Sequence, residues 1–78
     1  MKTETLSVLI VANRAACRET RGLITGFDAL VASPNQTDQM KAWCANQVEE
    51  SKQVLGELES HLNMLIKSYW EGLRDKGQ

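Results

Sequence analysis

His61 is the only histidine of the chain, and it follows Glu57 by four positions. Residues four apart share one face of a helix, so the carboxylate could orient the imidazole as a general base. The sequence has no nucleophile elbow, phosphate-binding loop or metal motif to complete such a site. We interpret the two residues as a solvated helix pair, and we expect no enzymatic activity and no cofactor.

Two cysteines, Cys17 and Cys44, are the residues that could bind metal or form a disulfide. Neither has a second Cys or His at ligand spacing, whereas a zinc site needs three or four ligands. We therefore expect no metal site, and two buried thiols on helix faces. In the hairpin predicted below, their levels differ by roughly 10 Å along the helix axis, so an intrachain disulfide is disfavoured.

Three arginines form a basic ridge on one face of the first predicted helix, Arg14, Arg18 and Arg21, and could contact phosphates. The net charge of −1 gives no overall field that attracts nucleic acid or an anionic membrane. No helix-turn-helix pattern surrounds the ridge. We expect these arginines to lie beside acidic residues of the second helix, namely Glu49, Glu50 and Glu57. A dimeric nucleic-acid-binding or transcriptional regulator that uses the ridge is the alternative function.

The segment Leu6 to Ala12 decides the fold class, because its Val, Leu and Ile residues are typical of a strand. Val11 to Arg14 also resembles the first strand of biotin carboxylases, which carries an isoleucine-alanine-asparagine-arginine-glycine run. Ala15 stands where that glycine should follow, and no glycine-rich phosphate loop comes later. A strand needs a hydrogen-bonded neighbour, and no other segment alternates with a period of two. We therefore predict a helix here.

One apolar stripe runs from Leu6 to Val31 without changing phase, and it predicts a helix over about residues 4–32. Thr3 or Thr5 is expected to cap its start. The predicted centre of the stripe is Leu6, Leu9, Ala16, Leu23, Phe27, Leu30 and Val31, and its flanks are Ile10, Ala12, Cys17 and Ile24. Asn13 and Thr20 lie on the same side, where we expect them to set the helix register through hydrogen bonds.

Gly22 and Gly26 are the weak point of this helix, since each costs about 1 kcal/mol relative to alanine. The sequence leaves open whether the first helix breaks near them. With Ala15 and Ala29 they also form a face of small residues, which would let another backbone approach closely.

The second helix is predicted over about residues 38–74, after a turn over about residues 33–37. Pro34 disfavours helical backbone at Ser33, and either Ser33 or Thr37 can cap the next helix. Steps of four and three then define a heptad seam at Cys44, Val48, Ser51, Leu55, Leu58, Leu62, Leu65 and Tyr69.

The chain of 78 residues is therefore predicted to be a single all-α domain, an antiparallel two-helix hairpin. In the predicted register Arg14, Arg18 and Arg21 lie at the levels of residues 54, 50 and 47, and residues 65–73 overhang the first helix. Two helices cannot bury such wide apolar stripes alone, so we predict that two copies pair into a four-helix bundle.

Function is predicted as a small protein-interaction module that binds a second protein besides its own copy. Adaptors, small secretion chaperones and phage-type inhibitors share this size and simplicity, an analogy of architecture alone. Exposed aromatic clusters mark interfaces, and the predicted partner-binding residues are Trp43, Leu65, Tyr69, Trp70 and Leu73. The apolar face of the first helix is expected to contribute to binding as well. No apolar run can span a bilayer and no signal peptide is recognisable, so we expect a cytoplasmic protein without membrane contact.

Overall fold

The structure is a computed structural model that describes residues 2–76. Helix α1 comprises Thr3–Ala32 and helix α2 comprises Asp38–Lys76. These described residues contain no strand, and the two helices pack along each other as a hairpin, which confirms the all-α prediction. The Cα atoms span 61 Å along the helices and 14 Å in both other directions. The molecule is therefore a rod two helices thick.

Helix α1 is continuous through the segment that resembles a strand and through both glycines. The helical interpretation of residues 6–12 is thus confirmed. A Cβ atom added at Gly22 or Gly26 would meet no atom within 4 Å. Packing inside the hairpin consequently gives no reason for glycine at either position.

The ends of the helices are capped differently from one another. Lys2 occupies the position before α1 and makes no side-chain cap, so the predicted cap by Thr3 or Thr5 is wrong. At α2, the Met40 N–H donates to Thr37 Oγ1 at 3.1 Å. Ser33 Oγ instead accepts a bond of 3.4 Å from the Asn35 N–H within the turn. Of the two predicted caps for α2, Thr37 is therefore the one that forms.

We expect Thr37→Ala to lower the free energy of unfolding by about 1 kcal/mol, because the Met40 N–H loses its acceptor at the helix end. The matched control is Ser33→Ala, which removes a longer bond in the exposed turn and should cost less. Urea unfolding followed by circular dichroism measures both values. Equal losses for the two variants would contradict the assignment of the cap.

The seam of α2 follows the predicted heptad. Cys44, Val48 and Leu65 are buried, and the positions between them are half-buried. With two further positions at its ends, this seam consists of Lys41, Cys44, Val48, Ser51, Leu55, Leu58, Leu62, Leu65, Tyr69 and Gly72. Its alternating steps keep one narrow stripe directed at α1 over the whole length of the hairpin.

The seam of α1 is rotated from its predicted centre. It consists of the buried and half-buried residues Leu6, Ile10, Asn13, Cys17, Thr20, Ile24, Phe27 and Val31. Leu9, Leu23 and Leu30, which the sequence placed at the centre of the apolar stripe, are exposed instead. The apolar face of α1 is wider than one neighbouring helix can cover, so α2 covers one edge and leaves the other in solvent.

Polar residues of the α1 seam are satisfied within their own helix. The thiol of Cys17 donates to Asn13 Oδ1 at 3.4 Å, and the hydroxyl of Thr20 donates to the Ala16 carbonyl at 2.7 Å. The predicted role of Asn13 and Thr20 in setting register between helices is thus wrong, since neither bond crosses to α2. Both cysteines are buried and free, as predicted.

The register of the hairpin differs from the predicted one. A Cβ atom on Gly72 would lie 3.6 Å from Thr3 Oγ1, so α1 begins beside residue 72 of α2. The predicted overhang of residues 65–73 is therefore wrong, because α1 covers nearly all of this segment. Interlocking of the two seams, rather than the midpoint of the turn, determines how the helices are aligned.

Candidate functional site

An unpartnered apolar surface follows one side of the seam, and we call it the leucine face. Its exposed residues are Leu9, Leu23 and Leu30 of α1 together with Met40, Trp43 and Val54 of α2. The three leucines are fourteen and seven positions apart, so they lie on one side of the α1 seam. Arg14 and Arg21 lie on the other side of that seam. Leu23 is 54% exposed, so α2 covers little of it.

A groove in the leucine face lies entirely along α1. It has a volume of about 550 Å³ and is lined by Glu19, Gly22, Leu23, Gly26, Phe27 and Leu30. The two glycines form its floor, because they carry no side chain and no atom of α2 fills the space above them. The groove is thus a place where another helix or a large side chain could approach the α1 backbone closely.

Trp43 stands beside this groove on α2. Its ring packs edge-to-face on Phe27, with centroids 5.7 Å apart, yet 52% of the residue remains exposed. Met40 lies one turn earlier and lines a second apolar depression together with Trp43. The turn end of the hairpin therefore presents a recessed apolar strip on α1 next to a projecting aromatic side chain on α2.

A second apolar surface lies at the opposite end of the rod, and we call it the terminal cleft. It has a volume of about 230 Å³ and is lined by Ser7, Ile10, Val11, Arg14, Ile66, Tyr69 and Trp70. Tyr69 packs edge-to-face on Trp70, with centroids 6.1 Å apart. Trp70 is 61% exposed, so it offers most of its ring to solvent.

The predicted partner-binding residues do not form one site. Tyr69 and Trp70 line the terminal cleft, and Leu73 lies exposed one turn beyond them. Trp43 belongs to the leucine face at the other end of the rod. Leu65 is only 7% exposed and packs in the seam, so its side chain is not accessible to a partner of the folded hairpin.

The arginine ridge is divided by its surroundings. Arg21 pairs with Glu59 at 3.9 Å, Arg14 borders the terminal cleft, and Arg18 is exposed. The predicted neighbours Glu49, Glu50 and Glu57 form no ion pair with the ridge among the side chains that the structure describes, because the register places Glu59 beside Arg21 instead. Arg14 and Arg18 form no ion pair with the side chains described between residues 2 and 75.

Residues with potential for catalysis or metal binding are not grouped. His61 lines a shallow groove with Leu6 and Met64. Between residues 2 and 76, no three His, Cys, Asp or Glu side chains are placed to hold a metal ion. Within the same range, neither helix has a stretch both long and apolar enough to cross a membrane.

Comparisons with known proteins give no match: no protein-family model fits the chain, and no curated protein or solved structure is significantly similar to it. The geometry of the two apolar surfaces is thus what bears on function.

Some residues of these surfaces are missing from the sequence-based site. Leu23, Leu30 and Met40 are exposed to solvent, and the sequence named the first two only as members of the apolar stripe of α1. A heptad fitted to α1 separately, through Asn13, Cys17 and Thr20, would have placed the leucines beside the seam. Averaging hydrophobicity over the whole apolar stripe hides this pattern, because the leucines contribute more hydrophobicity than the small and polar residues of the seam.

Proposed function

We propose that this chain is a non-enzymatic protein-interaction module that works as a homodimer, in which two hairpins pair through their leucine faces as a four-helix bundle. The terminal cleft, on the other side of each seam, is then left for a different protein. Both parts of this proposal rely on apolar surface that the hairpin cannot bury by itself.

The exposed area of the chain is the observation that carries the proposal. The hairpin exposes 5864 Å². A compact folded chain of 8.7 kDa exposes about 4,700 Å², so the excess is roughly 1,100 Å². A standard protein interface removes about 800 Å² from each partner. The excess follows from the elongated shape of the hairpin, and it is large enough for one such interface on every copy; the exposed side chains of the leucine face indicate where that interface lies.

A second copy is the occupant that fits the leucine face best. Each copy carries both a recessed strip at Gly22 and Gly26 and a projecting Trp43 at the same end of the rod. When the twofold axis runs parallel to the rod, α1 of one copy lies opposite α2 of the other. Each Trp43 then faces the groove of the other copy, and two equivalent contacts between Trp43 and a groove form. The net charge of −1 gives little self-repulsion.

The alignment of the two copies follows from where the apolar residues are concentrated. Leu23, Leu30, Met40 and Trp43 all belong to the half of the rod near the turn. The groove between the helices at the other end is lined by Ser68, Glu71 and Asp75 in addition to apolar residues such as Leu6 and Met64. Pairing turn end with turn end buries apolar groups against each other, whereas the reverse alignment would bury them against these polar groups.

Light scattering tests the dimer directly. We expect about twice the chain mass of 8.7 kDa, and we expect Leu23→Gln to shift the protein toward monomer because it places a polar group in the centre of the interface. The matched control is Val11→Gln, a somewhat more exposed apolar position across the seam (66% against 54%), which should leave the mass unchanged. A monomer mass for the unmodified chain at every concentration would overturn the proposal.

A further inference from the structure

The terminal cleft combines an apolar floor with a basic border. Ile10, Val11 and Ile66 form its apolar part, and the exposed ring of Trp70 forms one wall. Arg14 lines its edge toward the middle of the rod. Since Arg14 lies on the opposite side of the α1 seam from the leucines, the cleft stays accessible when two leucine faces pair.

Positive charge is concentrated around this cleft although the whole chain is slightly acidic. Arg18 follows Arg14 by one helical turn, and Lys67 and Arg74 lie one turn before and one turn after Trp70 on the same face of α2. Glu4 is the one acidic residue on this part of α1. Glu71 lies between Lys67 and Arg74 on α2, so four cations and two carboxylates give a local charge of +2, compared with −1 for the chain.

The cations of the cleft are available to a ligand. Arg14 and Arg18 make no ion pair with any side chain that the structure describes, whereas Arg21 is held by Glu59. Arginine and tryptophan are among the residue types that contribute most of the binding free energy at protein interfaces. The arginines also favour a partner of opposite charge through electrostatic complementarity.

From this we infer that the terminal cleft binds an acidic amphipathic helix of another protein. Its apolar side chains enter the cleft between Val11 and Trp70, and its carboxylates pair with Arg14 and Arg18. A helix suits the site because apolar residues spaced three and four apart can follow a groove between two helices. This inference rests on the proposed role in protein binding and names the chemistry of the second partner.

Binding of synthetic peptides to the full chain tests the inference. The probes are fluorescein-labelled amphipathic peptides with leucines spaced three and four apart, one set with glutamates on the polar face and a matched set with lysines. Fluorescence polarisation measures their affinity. We expect the acidic set to bind at least about tenfold more tightly than the basic set, with an affinity that decreases as salt is added.

Matched variants locate the binding site. Trp70→Ala should weaken binding of the acidic peptides by about tenfold or more, and Arg14→Gln together with Arg18→Gln should reduce the salt dependence. Trp43→Ala, which removes the other exposed tryptophan, should leave peptide affinity within about twofold even though it weakens the dimer.

The results that overturn the inference are separate from those that overturn the dimer. Failure of every acidic peptide to bind, equal binding of the two peptide sets, or equal losses for Trp70→Ala and Trp43→Ala each reject the cleft as the site. Binding to anionic vesicles or to duplex DNA without binding to acidic peptides also rejects it. None of these outcomes bears on the molar mass of the unmodified chain or on its response to Leu23→Gln, which together test the leucine face.

Discussion

Leu65→Ala is expected to destabilise the hairpin by about 2–5 kcal/mol, the range for removing a large buried aliphatic side chain. Among the residues that the structure describes, Leu65 is one of five buried apolar residues, so little else can compensate for its loss. The single core of a domain of this size rarely supplies more than about 3–5 kcal/mol. We therefore expect most of the helical circular dichroism signal to be lost at room temperature and the remaining transition to broaden.

Met64→Ala is the matched control, since it truncates a side chain of similar size at the neighbouring position, which is 67% exposed. We expect this variant to keep its helicity and to unfold within about 0.5 kcal/mol of the unmodified chain. If Leu65→Ala left the hairpin folded and weakened only its association with a partner, the assignment of Leu65 to the seam would be contradicted. Leu65 would then be a partner-binding residue, as predicted from the sequence.

The fold of α2 could be predicted because its signals agree with each other. Leu55, Leu58 and Leu62 are large, regularly spaced and flanked by charged residues, so the heptad is visible without any knowledge of α1. The helical prediction for residues 6–12 is also confirmed, although their composition is typical of a strand. It depends on a global criterion, the absence of a second strand to pair with, which outweighs local β-propensity.

The face of α1 that packs on α2 could not be predicted from its hydrophobicity. Asn13, Cys17 and Thr20 are small or polar, yet they are buried, while Leu23 is half in solvent. Helix pairs approach closely where side chains are small, and the larger leucines are then available beside the contact. Hydrophobic periodicity measures the whole apolar arc of a helix and does not say which edge of it a neighbour covers.

The candidate site was predicted in part for the same reason. Tyr69 and Trp70 stand out by residue type alone, and both line the terminal cleft. The apolar face of α1 was also predicted to bind, but not that Ile10 and Val11 lie beside Trp70, because these residues meet only in the register that the structure has. An error of alignment between two helices moves every predicted contact along the rod, as the pairing of Arg21 with Glu59 illustrates.

Gly26→Gln is expected to stabilise the hairpin and to weaken the dimer at the same time. Replacing glycine by a good helix former contributes about 1 kcal/mol to helix stability, and a Cβ atom at this position meets nothing within 4 Å. The same side chain fills the groove that the other copy's Trp43 would enter, and overpacking costs about 1–3 kcal/mol. We expect a higher melting temperature at low concentration together with a dimer dissociation constant raised about tenfold or more.

Gly56→Gln is the control for this prediction, because Gly56 is also an exposed helical glycine with open space around it, but it lies on α2 away from the leucine face. It should raise the melting temperature by a similar amount and leave the dissociation constant unchanged. Sedimentation equilibrium measures association, and thermal unfolding in dilute solution measures the hairpin. If both substitutions had the same effect on association, the groove would have no role in pairing. The proposed contact with a second copy would then not account for two helix-destabilising glycines in α1.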